Sequence, residues 1–360
     1  MSDASTSTML RPFVEKAPEP TFLSGFFQTP PENFYDSEFV EIDIQRDGED
    51  VAVAIIDLAT GARSNANSQG SNKKFEPPVF KEKGSLNAFQ LLSREPGQHP
   101  FESRAWVAKA LQRVGLLSGK LTGKVRRAIE LMCSQVLQTG TVTCVDENGL
   151  AVYTLDFQPK NAHFVTTTPW AADGTGGNRV DDIDGMARTI RKNGHRSPDT
   201  LLIGNTAQQR LLASADIKEL LKADGFYGGR SGLVPERPGA DGAVYLGTIT
   251  INNYRYALWG YDGRYNHPQT GESEPYIGDD KIIMLSSKAR LDLTYGAIPR
   301  IAQPDGRALP FMPGRVNANG LDMHPNAWLS EEGDTLSVSV ASRPLPVPTE
   351  IDSFGCLDVA

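Results

Sequence analysis

Residues 336–360 read LSVSVASRPLPVPTEIDSFGCLDVA, and this C-terminal stretch says most about the fold. Large apolar residues alternate with small ones from Leu336 to Ala341, which is the period of two of a half-buried strand. Pro344, Pro346 and Pro348 follow at every second position. Because alternate N–H groups leave a strand on the same side, one edge lacks donors and cannot extend a sheet. We therefore expect the far C-terminus to form structural strands.

The N-terminal region combines a polar start with an aromatic segment. Residues 1–20 are rich in Ser, Thr, Pro and Glu and have little to bury. They are followed by TFLSGFFQTPPENFYDSEFVEID at Thr21–Asp43. An aromatic arm at one end and a shaped strand at the other indicate that both ends take part in packing.

Size and composition set the class of protein. A chain of 360 residues is longer than one core usually organises, so we expect two lobes. The net charge of −8 argues against a dedicated nucleic-acid binder, which would concentrate Lys and Arg. The three dispersed cysteines are typical of a reducing cytoplasm, and the sequence contains neither a secretion signal nor an apolar run of membrane-spanning length. We expect a soluble protein.

A long protruding hairpin is predicted after the arm. Val51–Ala59 has the composition of a strand, and Ser85–Ser93 that of a weaker returning one. The segment between them is mostly Gly, Ser, Asn and Lys and cannot build a core of its own. We therefore expect it to lie on a neighbouring surface.

Two helices and a second hairpin complete the first lobe. The sequence predicts helices at Glu102–Val114 and Thr122–Thr139, and a hairpin at Thr141–Phe157 around an Asp-Glu-Asn-Gly turn. The second helix has a buried stripe of Val125, Ile129, Met132 and Val136, widened by Cys133 and Leu137. Its other faces carry Lys124, Arg127, Glu130 and Gln138.

The second lobe begins after Trp170 with the Gly-rich joint AADGTGGN. Asp181, Asp182 and Asp184 open a helix, where acidic residues suit the positive end of the dipole. Strands are predicted at 200–204, 244–251, 254–261 and 281–286, with helices through 208–223. This mixture makes the fold class α+β.

No motif in the chain points firmly to chemistry. The segment Gly115–Lys120 lacks the spacing and hydroxyl of a phosphate loop, and we expect a turn between helices there. The glycines at 174–177 lack a dinucleotide fingerprint, and the Asp cluster at 181–184 lacks a calcium-loop pattern. The five histidines are far apart, so we assign no catalytic residue, metal ligand or cofactor, although a triad assembled in space stays open.

The order of parts resembles that of tailed-bacteriophage major capsid proteins. The likeness is to the lambda-like family called phage major capsid protein E, which has the Hong Kong 97 fold. It is carried by FLSGFF at 22–27, VLQTGTVT at 136–143, VDDIDGMARTIRKNG at 180–194, YIGDDKIIMLSSKARLDLTYGAI at 276–298 and SRPLPVPTEIDSFGCLDVA at 342–360. Each fragment is weak alone, and their shared order makes the resemblance specific.

The resemblance implies a division of the chain. The N-terminal arm would be 1–35, the extended β-hairpin loop 51–99, and the axial domain 171–329. A peripheral domain with a long spine helix would comprise 36–50, 100–170 and 330–360.

The resemblance also implies a function without enzyme activity. Copies of the chain would assemble as hexamers and pentamers of an icosahedral shell that encloses double-stranded DNA, contacted non-specifically. The protein would reside in the virion, and in the host cytoplasm during assembly. Because no long charged helical extension precedes the arm, we expect a separate scaffold protein; a decoration protein is an optional partner.

Apolar anchors in the protrusions are the candidate interface residues. We predict subunit contacts at Phe22, Phe26 and Phe27 in the arm and at Phe75, Val79 and Phe80 in the loop. The alternative, that these residues fill their own subunit's core, stays open. Lys73, Lys74, Lys81 and Lys83 form a basic patch that is either solvated or faces an acidic neighbour.

Two other functions compete with this hypothesis. A soluble cytoplasmic α+β hydrolase would place its active site at the Gly-rich joint, but the expected motif is absent from the sequence. Another virion component, such as a tail-tube or decoration protein, would also work through its interfaces.

Overall fold

The computed structural model describes residues 21–35, 37, 39–44, 71–87, 89, 106–146, 149–223, 242–298, 322–330 and 334–360. The strand predicted at Val51–Ala59 and the polar segment after it as far as Gly70 lie outside these residues. The described part of the loop begins at its root, where β1 (Val40–Ile44) pairs antiparallel with β2 (Ser71–Phe75).

One helix, α1, runs without a break from Trp106 to Thr139. The prediction of two helices separated by a turn at Gly115–Lys120 was therefore wrong. Two glycines cost a helix only about 1 kcal/mol each, which tertiary packing of the apolar stripe outweighs. The helix ends at Gly140, whose φ of +68° suits glycine and whose N–H donates to the Val136 carbonyl at 2.8 Å.

The predicted hairpin follows this helix directly and is confirmed. Its strands are β4 (Thr141–Val145) and β5 (Ala151–Asp156), paired antiparallel with an irregularity between Cys144 and Val145. Gly149 in the turn has φ +78°, a left-handed conformation that glycine adopts without strain.

The alternating C-terminal segment forms a strand, as predicted, and it is the middle strand of a three-stranded sheet. The prediction that this strand is half-buried was wrong, since Ser337 and Ser339 are buried together with Val338 and Val340. This strand, β15 (Thr335–Ser342), lies between β14 (His324–Leu329) and β3 (Phe80–Asn87). The returning strand of the loop thus begins at Phe80, not at Ser85 as predicted. The proline-bearing strand β16 (Pro344–Val347) pairs with β13 (Asp292–Tyr295).

A six-stranded mixed sheet forms the second lobe. Its strands are β6 (Phe164–Thr166), β7 (Thr200–Ile203), β8 (Ala243–Ile251), β9 (Tyr254–Tyr261), β12 (Lys281–Leu285) and β17 (Phe354–Asp358). Across the sheet the order is β6-β17-β12-β7-β9-β8. A separate small hairpin joins β10 (Arg264–Asn266) to β11 (Ser273–Pro275).

Both faces of this sheet are buried, which explains its continuous apolar strands. In β12, Ile283 and Leu285 join the core cluster under α1, whereas Ile282 and Met284 join the cluster on the opposite side. Three helices border that second core: α2 (Arg179–Gly194), α3 (Asn205–Ala213) and α4 (Ala215–Ala223). The sheet is the middle layer between α1 and these helices.

The final strand belongs to the six-stranded sheet. We expected the terminal strands to rejoin the first lobe, and β15 and β16 do pack against α1. β17, in contrast, pairs with β12 and β6, with Phe354 in the core under α1 and Leu357 in the opposite core. The C-terminus therefore ties the two cores together.

Helix α2 begins as the sequence predicts. The Asn178 side chain caps the helix by accepting a hydrogen bond from the Asp181 N–H. Asp182 accepts a hydrogen bond from the Trp170 indole at 2.8 Å, and Asp184 is buried and accepts one from the Asn252 amide at 2.8 Å. Asp181, Asp182 and Asp184 therefore take part in helix capping and in hydrogen bonds within the fold.

Candidate functional site

The six predicted interface residues occupy three kinds of environment. Phe22, Phe27 and Phe75 are buried in the subunit's own core. Phe26 and Phe80 are half-buried against that core. Val79 keeps 57% of its surface exposed. Of the six, Phe26, Phe80 and Val79 have surface that a neighbouring subunit could contact. The other three fill the core of their own subunit, which is the alternative that the sequence left open.

The arm is fastened to α1 by a buried carboxylate. Glu130 has no exposed surface, and its two carboxylate oxygens accept hydrogen bonds from the N–H groups of Leu23 at 2.7 Å and Ser24 at 2.9 Å. The Tyr261 hydroxyl donates a third hydrogen bond, at 3.0 Å. A buried charge is tolerated only when it is well hydrogen-bonded, so these three donors fix the arm at this point.

The position of Glu130 corrects the helix analysis. The helical pattern placed Glu130 on an outer face with Lys124 and Arg127, but the structure buries it. Glu130 stands three residues before Cys133 and seven before Leu137, and helix geometry places residues at these spacings on the same face. From this spacing, sequence reasoning could have predicted that Glu130 is buried with Cys133 and Leu137.

Aromatic packing strengthens the same anchor. The Phe22 ring lies 4.9 Å from Tyr261, 5.6 Å from Trp259 and 5.5 Å from Phe26, measured between centroids. Burial and the Glu130 carboxylate both raise the pKa of Tyr261, so its phenol stays protonated and remains a donor. The root of the arm is therefore part of its own subunit.

Beyond this anchor the arm runs beside β13 and meets it at two isolated backbone bridges, one on each side of a short 3₁₀ helix at Pro31–Asn33. The Gln28 N–H donates to the Leu291 carbonyl at 2.7 Å, and the Tyr35 N–H donates to the Tyr295 carbonyl at 2.9 Å. The rings of Phe34 and Tyr295 stack with centroids 5.1 Å apart. The expectation that the arm buries little in its own chain is therefore wrong for the described residues from Thr21 onward.

The root of the loop is held by a buried arginine. Arg343, with 4% of its surface exposed, donates to the Pro77 carbonyl at 3.0 Å and the Ala297 carbonyl at 3.2 Å. Its remaining nitrogen donates to the Glu76 carboxylate at 3.0 Å. Sequence reasoning missed Arg343, because its partners are more than forty residues away and no local pattern marks them.

The basic patch is partly described. Lys81 and Lys83 are exposed on β3, and the Lys83 ammonium lies 5.3 Å from the centroid of the Trp328 ring on β14. A cation–π contact at an exposed site contributes about 0.5–1 kcal/mol. The side chains of Lys73 and Lys74 lie outside the described residues.

The buried histidine, His163, is hydrogen-bonded within the fold. His163 is fully buried, with Nδ1 2.9 Å from the Phe354 carbonyl and Nε2 3.0 Å from the Asn193 amide nitrogen, and burial lowers its pKa. Within the described residues no group of three or more His, Cys, Asp and Glu side chains could hold a metal ion. No helix in that part of the chain is long and apolar enough to cross a membrane.

The Gly-rich joint is a rigid turn. The Arg179 guanidinium donates to the carbonyls of Gly176 and Ala171, each at 2.9 Å, and to that of Arg210 at 3.0 Å. It also donates to the Thr175 carbonyl at 3.3 Å, so the Arg179 side chain is hydrogen-bonded to four backbone carbonyls. The geometry that stands out in this chain is that of anchors and exposed surfaces.

Comparisons with known proteins agree with this geometry. The family model described as phage major capsid protein E matches residues 5–355. No curated protein sequence matches the chain.

Among solved structures, a protein assigned as a prophage capsid protein of E. coli CFT073 is 16% identical, with a TM-score of 0.59 over 81% of this chain and 80% of that chain. A phage-related protein from Bordetella bronchiseptica RB50 is 9% identical, with a TM-score of 0.45 over 96% and 94% of the two chains. A structure from Gordonia phage Cozz is 10% identical, with a TM-score of 0.47 over 100% and 91%. The first likeness shows that the fold is shared.

Proposed function

The chain belongs to the phage major capsid protein E family and is a major head protein with the α+β Hong Kong 97 fold, and from this premise we propose how its copies are joined. They assemble as hexamers and pentamers of an icosahedral shell around double-stranded DNA. The observation that carries this proposal is the family match over residues 5–355 of a chain of 360.

Contacts between copies use the exposed parts of the protrusions. Val79 is exposed where the loop returns toward β3, and Phe26 and Phe80 present their half-exposed sides. Phe22, Phe27 and Phe75 act indirectly, because they hold the arm and loop roots in position. Many modest contacts repeated by symmetry make a shell strong while each encounter remains reversible.

Further partners follow from the same role. We propose a separate scaffold protein during assembly in the host cytoplasm, and a decoration protein as an optional addition to the finished virion. Contact with DNA is non-specific, since a chain with a net charge of −8 has no excess of cations for tight phosphate binding.

The domain bounds predicted from the sequence stay part of the proposal. The peripheral domain comprises 36–50, 100–170 and 330–360, the axial domain 171–329, the loop 51–99 and the arm 1–35. Because β17 lies in the six-stranded sheet, the last strand connects the proposed axial domain to the rest.

Electron microscopy of the overexpressed chain, with and without a candidate scaffold, tests the function. Closed polyhedral shells or capsomers are expected. Open tubes or small trimers would instead indicate a tail-tube or decoration protein, and a monomer at every concentration would contradict assembly.

Contact at the loop is tested by Val79→Asp, with Ser85→Asp as a control that places the same charge on an uncharged, exposed polar site of β3. We expect Val79→Asp to give a folded subunit with a reduced yield of shells, because an exposed apolar contact is replaced by a charge that must be desolvated. Equal yields from the two variants would remove the contact from the proposal.

A further inference from the structure

The buried histidine His163 joins three segments that are far apart in the sequence. It ends a 3₁₀ helix at Asn161–His163, just before β6. Its Nδ1 lies 2.9 Å from the carbonyl oxygen of Phe354 at the start of β17, and its Nε2 lies 3.0 Å from the amide nitrogen of Asn193 in the last turn of α2. Each ring nitrogen therefore connects the turn before β6 to a different segment.

The two partners decide which ring nitrogen carries the proton. The Phe354 carbonyl can only accept a hydrogen bond, so Nδ1 must be the donor. In the neutral ring Nε2 then has no proton, and it accepts a hydrogen bond from the Asn193 amide nitrogen. This tautomer satisfies both nitrogens, and the buried ring is held without a charge.

Two charged groups face the ring from the neighbouring segments. Asp352, in the 3₁₀ helix Ile351–Ser353, has Oδ1 3.9 Å from Nε2. The Lys160 ammonium, which precedes the histidine's own 3₁₀ helix, lies 3.5 Å from the other oxygen of that carboxylate. From α2 the group that faces the ring is the neutral Asn193 amide, and from β17 it is a backbone carbonyl. Asp352 is therefore an anionic acceptor close to Nε2.

The three segments are tightly packed around the ring. An added Cβ at Gly194, the last residue of α2, would overlap the Asp352 carbonyl. An added Cβ at Gly355 in β17 would lie 2.8 Å from the His163 carbonyl. A change of hydrogen-bond partner at the ring therefore acts directly on the way the end of α2 lies against the start of β17.

We propose that His163 is a proton-operated joint: a proton on Nε2 breaks the hydrogen bond with Asn193 and turns Nε2 to Asp352, which releases the C-terminal end of α2 from the start of β17. A protonated Nε2 is a donor and cannot accept from the Asn193 amide. A hydrogen bond to a carboxylate is about twice as strong as one between neutral groups, so Asp352 is preferred over a rotated Asn193 amide.

Proton binding favours the released state. Burial is the largest effect and lowers the pKa of His163, as the Lys160 ammonium does, whereas the Phe354 carbonyl and the Asp352 carboxylate raise it. The closed joint thus binds a proton less readily than a released histidine, whose pKa is about 6.5. By linkage the joint is closed above about pH 6.5 and is increasingly released as the pH falls below that value.

The joint lies where the two proposed domains meet. Asn193 belongs to the axial range 171–329, whereas His163 and Phe354 belong to the peripheral ranges 100–170 and 330–360. Protonation of one ring would therefore loosen a contact between domains of the same subunit. The release itself is inferred from the geometry around the ring, and only its place at a domain boundary rests on the proposed function.

Hydrogen exchange of the unassembled subunit at pH 7.5 and pH 5.5, corrected for the intrinsic effect of pH on exchange, tests the release. We expect amides at the end of α2, residues 188–194, to exchange about fivefold or more faster at the lower pH, while those of β12 keep their rate. Unchanged exchange at the end of α2 would overturn the proposal, because an Asn193 amide that turns its oxygen to the ring keeps the joint closed. Equal acceleration in β12 would also overturn it, since that indicates global destabilisation.

Asn193→Asp distinguishes a proton-operated joint from a histidine that only fills space. A carboxylate at this position accepts a hydrogen bond from protonated Nε2 and repels the lone pair of neutral Nε2. We therefore expect the opposite pH dependence, with the end of α2 better protected at pH 5.5 than at pH 7.5. Asn205→Asp is the matched control, because it makes the same change at the exposed first residue of α3 and should keep the parent's pH dependence.

Acceleration of Asn193→Asp at low pH, as in the parent, would refute the role of Nε2. These measurements use the unassembled subunit, so they decide whether the joint exists independently of whether shells form.

Discussion

Replacing Glu130 by glutamine is expected to loosen the arm from its own subunit. The carboxylate is fully buried and accepts hydrogen bonds from the N–H groups of Leu23 and Ser24 and from the Tyr261 hydroxyl. Glutamine has nearly the same shape, but one of its two terminal atoms is a donor. Glu130→Gln therefore turns at least one buried acceptor into a group that faces another donor.

The size of the effect follows from the lost interaction. A hydrogen bond to a buried charged group contributes about 1.5–3 kcal/mol to stability. Losing one such bond lowers the free energy of opening the arm by that amount, and every 1.4 kcal/mol is a factor of ten in the equilibrium. Amide exchange at Leu23 and Ser24 should therefore accelerate by about tenfold to about a hundredfold.

Hydrogen exchange of the unassembled subunit, followed by mass spectrometry of peptides that contain residues 22–28, measures this acceleration. Glu82→Gln is the matched control, because the Glu82 carboxylate is partly exposed and pairs with Lys124 at 3.1 Å on the surface. Such a pair contributes about 0–1 kcal/mol, so the control should exchange nearly as the parent does. If Glu130→Gln left arm exchange within twofold of the parent in a folded subunit, the carboxylate would not be what holds the arm.

Four further substitutions test other parts of the structure by thermal or denaturant unfolding. Arg343→Lys should cost about 2–4 kcal/mol, because an ammonium group cannot reach all three acceptors of the buried guanidinium; a loss below about 0.5 kcal/mol would contradict this anchor. Gly185→Ala should stabilise α2 by about 0.5–1 kcal/mol, since an added Cβ meets nothing within 4 Å. Gly194→Ala should destabilise strongly, since its Cβ would overlap the Asp352 carbonyl. Equal effects of the two alanines would refute that packing. His163→Gln should flatten the pH dependence of the melting temperature: the pKa of His163 is lowered in the fold, so the unfolded chain binds more protons and the parent loses stability as pH falls below about 6.5. A variant whose melting temperature falls as steeply as the parent's between pH 7.5 and 5.5 would show that His163 is not responsible.

The elements that the sequence predicted well are those with a strong local period. The hairpin strands at 244–251 and 254–261 were predicted nearly to the residue, because apolar alternation is interrupted by Asn252 and Asn253, whose φ values of 48° and 67° match a tight hairpin turn. The strand at 281–286 was equally clear, since both of its faces are buried and it is apolar almost throughout.

Elements fixed by distant contacts were predicted less well. Gly115 and Gly119 interrupt the helical pattern locally, but packing of β3 against α1 keeps the helix continuous, and Gly84 allows Leu117 to approach closely. The start of β3 at Phe80 is likewise determined by its pairing with Ser342, which is more than 250 residues away in the sequence. Local propensity cannot carry such information.

The candidate interface shows the same division. Aromatic residues in the arm signalled that it packs, but not on which subunit, because Phe22 packs on Tyr261 and Trp259 of its own chain. The exposure of Leu150 and Val152 in the β4–β5 hairpin was not predicted, since apolar residues of this kind occur in any strand or hairpin. Exposure depends on the three-dimensional packing around the hairpin and has no signature in one sequence.

A cryo-electron microscopy reconstruction of the shell formed by this chain tests the central claim most directly. The account predicts rings of identical subunits in which each arm is anchored at Glu130 of its own subunit, while Val79 is covered by a neighbouring copy. A shell in which the arm root is exchanged between subunits and Val79 faces solvent would contradict it.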